Sequence, residues 1–355
     1  MPVIVVSGQP GAGSSTIAKL LAKKLRLKHF SAGKKFKKEG TGKETARAIQ
    51  FLNTERGSSI SYHRAFDKII IKHAKKGDVV IDAKLGVLML RKYYDFSVWL
   101  KAPKGVRAKR FVKRDKIPVR QALKEVSQRD SIERNMWKKI YGIDYFRQEK
   151  KADLVINVAN KTPEQIVDLI VSKMKRVFVV HRWEGRPNKD WYNYAKKELE
   201  RNGYVVNVLK MPNPDAPKER LWVPYLSKAV GEPTEKTVLV GHSAGVITIL
   251  RYLEQLKKNE KIGGCVLVAG WIDDLGYKEL KNFFARPINW PAIKKHCRKF
   301  VAIHSDNDPY VKLYHGKAFR KHLKAKLIIL HNKGHLTDED GVKKLPSAVK
   351  SIEEF

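Results

Sequence analysis

Two short apolar runs, each closed by a glycine turn and followed at once by a helix-forming stretch, constrain this chain more than any other feature. The first, residues 3–7, runs into Gly8, Gly11, Ala12 and Gly13 and then Ser14, Ser15 and Thr16; the second, residues 237–240, runs into Gly241, His242, Ser243, Ala244 and Gly245. A strand that passes through a tight turn into a helix is the opening of a βαβ unit, because parallel strands need a crossover and the crossover is usually helical. Around the first turn, strand-like segments at 3–7, 28–30, 78–82, 96–101 and 153–158 alternate with helical stretches, and Thr162 with Pro163 supplies an N-cap and first-turn pair for a closing helix. The alternation then restarts, with strands expected at 177–181, 204–211, 237–240, 262–269, 300–304 and 327–331. The expected fold class is α/β: two doubly wound three-layer domains, residues 1–175 and 176–355, each of the usual domain size of roughly 150–200 residues. Residues 174–176 contain no Gly, Ser or Pro. A tight join with contact between the domains is expected there, not a flexible linker.

Composition removes several classes. Apolar residues at 43% and charged residues at 31% exclude a disordered or fibrous chain. The apolar runs are too short to span a bilayer and no secretory signal pattern opens the chain, so a cytoplasmic protein without a membrane partner is expected. Cys265 and Cys297 are too few for a disulfide framework. Charge is the outlier: the net value is +37, of which residues 1–175 carry +24 and the rest +13. A field of this sign attracts nucleotides, and it offers nucleic acid a basic surface. The lysines are scattered through both halves, which favours a solvated surface over a dedicated stripe.

The first glycine turn has the form of a phosphate loop. Glycines let backbone N–H groups point inward, and the following helix adds positive potential. Gly8 and Gly13 fit the G-x-x-x-x-G-K-[ST] spacing and Ser15 fits the magnesium-binding hydroxyl, while Ser14 stands at the lysine position. Position, both glycines and the hydroxyl agree, which favours phosphate binding over an ordinary glycine turn. Together with the segments around Ser31–Gly33, Asp82, Ala102, Arg110, Asp144 and Asn157, this half resembles the archaeal type of cytidylate kinase, a P-loop nucleoside monophosphate kinase. Members of that group often carry a hydroxyl residue where Ser14 stands. The resemblance implies ATP and Mg2+ as cofactors, a loop of Gly8, Gly11, Ala12, Gly13, Ser14, Ser15 and Thr16 around the phosphates, Ser15 and Asp82 at the metal, and Arg110 and Arg114 as lid arginines. Arg107 lies on the same helical spacing. On the acceptor side it implies roles for Lys37, Asp67, Lys84 and Arg129. Lys37 and Lys84 replace arginines of the family, His63 replaces an acidic residue, and Met136 with Trp137 replaces an Arg-Tyr pair. Lysine lacks the bidentate fork that arginine offers phosphate, so CMP is expected to be a weak acceptor.

The second turn is a G-x-S-x-G nucleophile elbow in the strand–turn–helix context that the motif requires. Two further elements follow in the order acid then histidine, each just after a strand: Asp306 to Asp308, and Gly334 with His335. Ser243 is assigned as nucleophile, His335 as general base and Asp308 as the orienting carboxylate, with Asp306 as the fallback acid. The N–H of Ala244 forms half of the expected oxyanion hole, and Arg182 or Trp183, after the domain's first strand, the other half. His181, His242, His304 and His331 are expected to pack or hydrogen-bond near strand ends, and no metal site is expected from their spacing. With Asp190 to Tyr192, Met211 to Asp215 and Trp222, this half resembles the retinoblastoma-binding-protein-like small serine hydrolases. That implies an α/β-hydrolase without a large cap, acting on a small ester or amide. The whole chain therefore reads as a two-domain enzyme. The alternative is a basic nucleotide- or RNA-binding adaptor with an inactive kinase-like module.

Overall fold

The computed structural model describes residues 2–33 and 43–355. The chain divides into two compact units, Met1–Lys173 and Met174–Phe355. The division falls two residues before the expected one, because the second unit's first strand takes in Lys175 and Arg176.

In the first unit the order is β1 (Val3–Gly8), α1 (Ser14–Leu25), β2 (Lys28–Ser31), α2 (Glu44–Leu52), α3 (Glu55–Ser58), α4 (Ile60–Lys76), β3 (Val79–Asp82), α5 (Gly86–Met89), β4 (Phe96–Lys101), α6 (Lys104–Asp115), α7 (Val119–Tyr141), a 3-10 turn at Tyr145–Lys151, β5 (Leu154–Asn157) and α8 (Pro163–Lys173). Among the described residues the sheet runs β2-β3-β1-β4-β5, every pair parallel. β1 is buried along its whole length, which is why its sequence is a continuous apolar run and not an alternating one. α1 turns Ile17, Ala18, Leu21 and Ala22 inward and leaves its lysines outside. The expected cap of α8 is reciprocal: Thr162 Oγ1 accepts from the Gln165 N–H, and Gln165 Oε1 accepts from the Thr162 N–H.

The second unit follows as β6 (Lys175–Val180), α9 (Tyr192–Arg201), β7 (Tyr204–Val208), α10 (Glu219–Val230), β8 (Thr237–His242), α11 (Ala244–Glu254), β9 (Gly264–Val268), α12 (Trp290–His296), β10 (Phe300–Ser305), α13 (Leu313–Leu323), β11 (Lys326–Leu330) and α14 (Pro346–Glu353). Its sheet runs β11-β10-β9-β8-β6-β7, again parallel throughout. β8 lies inside the sheet and α11, which follows Ser243, is buried from Ala244 to Leu253. One apolar layer packs Trp222, Leu250 and Phe283 on one face, and another packs Trp191, Leu199 and Ile352 on the other. Both units are thus three-layer α/β folds. No helix among the described residues is long and apolar enough to cross a membrane.

Candidate active sites

In the first unit the loop between β1 and α1 is held from several sides. Gly11 and Gly13 have φ of 79° and 94°, values that non-glycine residues rarely adopt. A Cβ on Gly11 would also meet the Phe111 ring at 2.8 Å. Tyr145 Oη donates to the Gly8 carbonyl. Arg107 is buried; it forks onto Asp130 at 2.7 and 2.9 Å and donates to the Pro10 carbonyl at 3.1 Å. Arg110 lies over the loop, donating to the carbonyls of Gly11 (3.1 Å) and Ala12 (2.8 Å) and to that of Val158 (3.1 Å). Arg114, one turn further along α6, forks onto Asp115 at 3.0 and 2.8 Å and donates to Thr45. Ser14 is half-buried, and Thr16 is exposed on the first turn of α1. Asp82, at the end of β3, accepts from Ser15 Oγ at 2.5 Å and from Ser31 Oγ at 2.8 Å. The parallel pairing of β2, β3 and β1 brings these three oxygens together.

The same unit holds a cleft of about 130 Å³, walled mainly by apolar side chains such as Phe51, Phe66, Leu85 and Trp137. Asp67, Lys84 and Arg129 of the expected acceptor side line it; Lys37 lies outside the described residues. Lys84 and Arg129 reach the same buried carboxylate, Glu133, at 3.0 and 2.9 Å. Burial lowers the Lys84 pKa, against the opposing pull of Glu133. Burial raises the pKa of Asp67, although Tyr141 Oη donates to it at 2.5 Å. His63 is buried with Nε2 at 2.8 Å from the Gly57 carbonyl, and burial lowers its pKa, so the ring is neutral and donates there. Met136 packs in the core with Trp99, and its neighbour Trp137 faces the cleft. Glu133 belongs to none of the sequence motifs, although its spacing of four from Arg129 on one helix is the signal for an ion pair.

In the second unit Ser243, His335 and Asp308 come together. Ser243 Oγ lies 2.8 Å from His335 Nε2, and His335 Nδ1 lies 2.8 Å from Asp308 Oδ2. Ser243 has φ 57° and ψ −116°, the strained corner of a nucleophile elbow. The two small neighbours are obligatory: a Cβ on Gly245 would lie 2.1 Å from the Val180 carbonyl oxygen, and one on Gly241 would lie 2.7 Å from the Val246 nitrogen. Burial disfavours the Asp308 charge, but the hydrogen bond and charge of His335 and the N–H groups of Val311 and Tyr310 outweigh it and lower its pKa. Asp306 faces His331 and the Asn332 N–H instead, so the carboxylate at the histidine is Asp308.

Ala244 is the first residue of α11, where an N–H has no intrahelical acceptor. Of the two expected oxyanion partners, the Arg182 N–H is directed to Tyr192 Oη at 3.3 Å. Tyr192 Oη lies 2.8 Å from His242 Nδ1, and His242 Nε2 lies 2.9 Å from the His335 carbonyl. His242 is fully buried, and burial beside His335 holds its pKa well below the usual histidine value. A neutral ring facing a carbonyl donates through Nε2, so Nδ1 accepts from Tyr192. Asp190 ties the same two loops together, pairing with Arg182 Nε at 3.1 Å and accepting from the Asp338 N–H at 3.0 Å. The exposed Tyr310 sets its edge against the His335 ring at 5.3 Å.

The folds and sites define two classes on one chain, a P-loop phosphotransferase and an α/β serine hydrolase. Comparison with known proteins agrees. A family model described as a serine hydrolase matches residues 177–354, and one described as the cytidylate kinase-like family matches residues 3–160. The cytidylate kinase of Ignicoccus hospitalis is 38% identical over 170 residues, covering 48% of this chain and 97% of that protein. The serine hydrolase RBBP9 of Rattus norvegicus is 29% identical over 165 residues, 46% of this chain and 86% of that protein. The crystal structure of the ydeN gene product of Bacillus subtilis superposes with a TM-score of 0.50 at 28% identity, covering 51% of this chain and 98% of that one. The chain belongs to the cytidylate kinase-like family through its first unit and to the serine hydrolase family through its second. It is a fusion of the two, and both halves match enzyme families and, in the first, a nucleotide-using one.

Proposed function

We propose that the second unit hydrolyses a small ester or amide through Ser243, His335 and Asp308. The Ser243–His335–Asp308 chain of contacts, 2.8 Å at each link on a nucleophile elbow, carries this reading. Asp308 accepts from His335 Nδ1–H, which leaves Nε2 free to take the Ser243 proton as Oγ attacks the carbonyl carbon. The developing oxyanion is received by the N–H groups of Ala244 and Trp183, since the Arg182 N–H already serves Tyr192. His335 then returns the proton to the leaving group, and water repeats the sequence on the acyl-enzyme. A fluorophosphonate probe should label the protein stoichiometrically and should not label Ser243→Ala. His335→Ala should lower ester turnover by on the order of 10³-fold or more. Labelling that persists in Ser243→Ala removes the assignment.

We propose further that the first unit transfers phosphate from ATP to a nucleoside monophosphate. The loop of Gly8, Gly11, Ala12, Gly13, Ser14, Ser15 and Thr16 would cradle the triphosphate, with Arg110 above it and Arg114 on the same helix. The hard oxygen donors Ser15 and Asp82, 2.5 Å apart beside the loop, suit Mg2+, which takes one or two protein oxygens and completes its shell with phosphate and water. Bound there, the ion would neutralise phosphate charge. Lys84, Arg129 and Asp67 face the acceptor, and the relatives' name suggests CMP for that place. Calorimetry with ATP and a coupled phosphotransfer screen over the nucleoside monophosphates test the reading; absence of triphosphate binding overturns it.

A further inference from the structure

Charge is distributed unevenly in the second unit. Between Leu280 and Thr337 the sequence holds 13 lysines and arginines against two aspartates, Asp306 and Asp308. Both aspartates are engaged near the triad histidine loop, with His331 and His335. Of these cations, Arg286 pairs with Glu219 and Glu254 and Lys326 with Glu354, and the fold gathers several of the others on and beside α12 and α13.

On α13, Lys317, Arg320 and Lys321 follow one another at intervals of three and one residues, which places them on one stripe of the helix, and Lys324 caps its C-terminal end. His315, Phe319 and Leu323 occupy the opposite side and are buried. All four cations are exposed, and none has an acidic partner among the described residues. α12 packs against α13 and adds exposed Lys294 and Lys295, with exposed Arg298 two residues beyond its end. Where the helices meet, Trp290 and His322 stack face to face, with centroids 4.8 Å apart and planes 9° from parallel. Both rings are half-buried, so part of each remains open to solvent, with Lys294 one helical turn along α12 from Trp290.

We infer that the outer face of α12 and α13 is a docking surface for single-stranded nucleic acid. A basic stripe that tracks a phosphate backbone, beside aromatic rings on which an unpaired base can stack, is the combination that binds single strands without sequence preference. A duplex would leave the rings unused, because its bases are already stacked. The stripe from Lys317 to Lys324 is about 10 Å long, at about 1.5 Å per residue. That length fits a short backbone segment and makes the expected affinity modest and strongly dependent on salt.

The test is fluorescence anisotropy of a labelled uridine oligomer of about 20 nucleotides with the full chain, over salt concentrations from about 50 to 300 mM. Binding should weaken linearly on a log–log plot as salt rises. The triple variant Lys317→Glu, Arg320→Glu, Lys324→Glu should weaken binding by about tenfold or more and flatten the salt slope by about 2, at about 0.7 for each phosphate that is no longer neutralised. A control triple, Lys197→Glu, Lys228→Glu, Lys258→Glu, changes net charge equally at exposed sites elsewhere on the unit and should leave affinity within about twofold. Trp290→Leu, with His322→Ala as a second probe of the stack, should cost about tenfold without changing the salt slope. Fluorophosphonate labelling at the parent rate verifies that each variant is folded. Equal losses in the two triples, no oligomer binding at about 50 mM salt, or binding to vesicles with phosphatidylserine but not to the oligomer each overturns the inference.

Discussion

The nucleophile proposed for the second unit, Ser243, needs His335 held against it, and much of that holding is done by residues outside the proposed triad. The His335 backbone carbonyl receives the His242 ring, which in turn receives Tyr192 Oη. Tyr192→Phe removes the donor to His242 Nδ1 and leaves a buried acceptor unpaired, which costs roughly 1–3 kcal/mol. Expected is a fall in kcat of about tenfold with KM unchanged, read with any activated ester, because the substrate's binding groups are untouched. In the first unit, Lys84 is a single-point donor committed to Glu133. Lys84→Arg restores a fork, and a charge-assisted bond is worth about 1.5–3 kcal/mol. It should raise kcat/KM for CMP by on the order of tenfold in the coupled assay; no gain would place the weakness elsewhere on the acceptor side. The grouping of Ser243, His335 and Asp308 was legible in the sequence because each stands shortly after an apolar strand beside a turn-forming neighbour. Tyr192 and Asp190 were not, because their roles rest on partners separated from them by as many as 148 positions, as Asp190 is from Asp338. No local pattern records such a pairing.

At the scale of elements, both sites rest on the same device, a central parallel strand whose last residue turns into a helix. The phosphate loop depends on Gly13, at φ 94°, where an added Cβ would lie 3.5 Å from Arg110 Nη1. Gly13→Val imposes a conformation that β-branched residues avoid and should abolish ATP binding by calorimetry, while fluorophosphonate labelling of the second unit continues. The strands were readable because parallel strands covered on both faces are unbroken apolar runs. Their ends were less so: the stretch expected as one strand over 262–269 is β9 at Gly264–Val268, with Ile262 making a separate bridge to Cys297. Hydrophobicity marks what is buried and does not mark where the hydrogen-bond ladder stops. On helical spacing alone, Arg107 groups with Arg110 and Arg114. Its burial against Asp130 and the Pro10 carbonyl makes it a support of the loop, since spacing alone does not tell which side of a helix is covered.

At the scale of the whole molecule, the buried histidines of the second unit give it a direction of pH response. Burial lowers the pKa of His181, His242, His304 and His315, with His304 brought down to about 4. Below about 6.5 the unfolded chain binds protons that the folded unit excludes, so stability is complete above that pH and declines as pH falls towards 4. Thermal unfolding followed by tryptophan fluorescence should show the melting temperature dropping between pH 6.5 and 4.5. His304, with neither ring nitrogen hydrogen-bonded among the described residues, is a clear contributor, and His304→Leu should flatten the drop. A pH-independent melting temperature across that window would contradict this account. The anchoring of the phosphate loop bears on synthesis as well. Its glycines leave the ribosome well before the groups that hold them: Arg107 lies 97 positions beyond Pro10, and Tyr145 lies 137 beyond Gly8. During translation the loop therefore waits, unformed and unable to retain a nucleotide, until nearly the entire first half has emerged. A chain stalled before Tyr145 carries the whole phosphate motif in its sequence without having built the site.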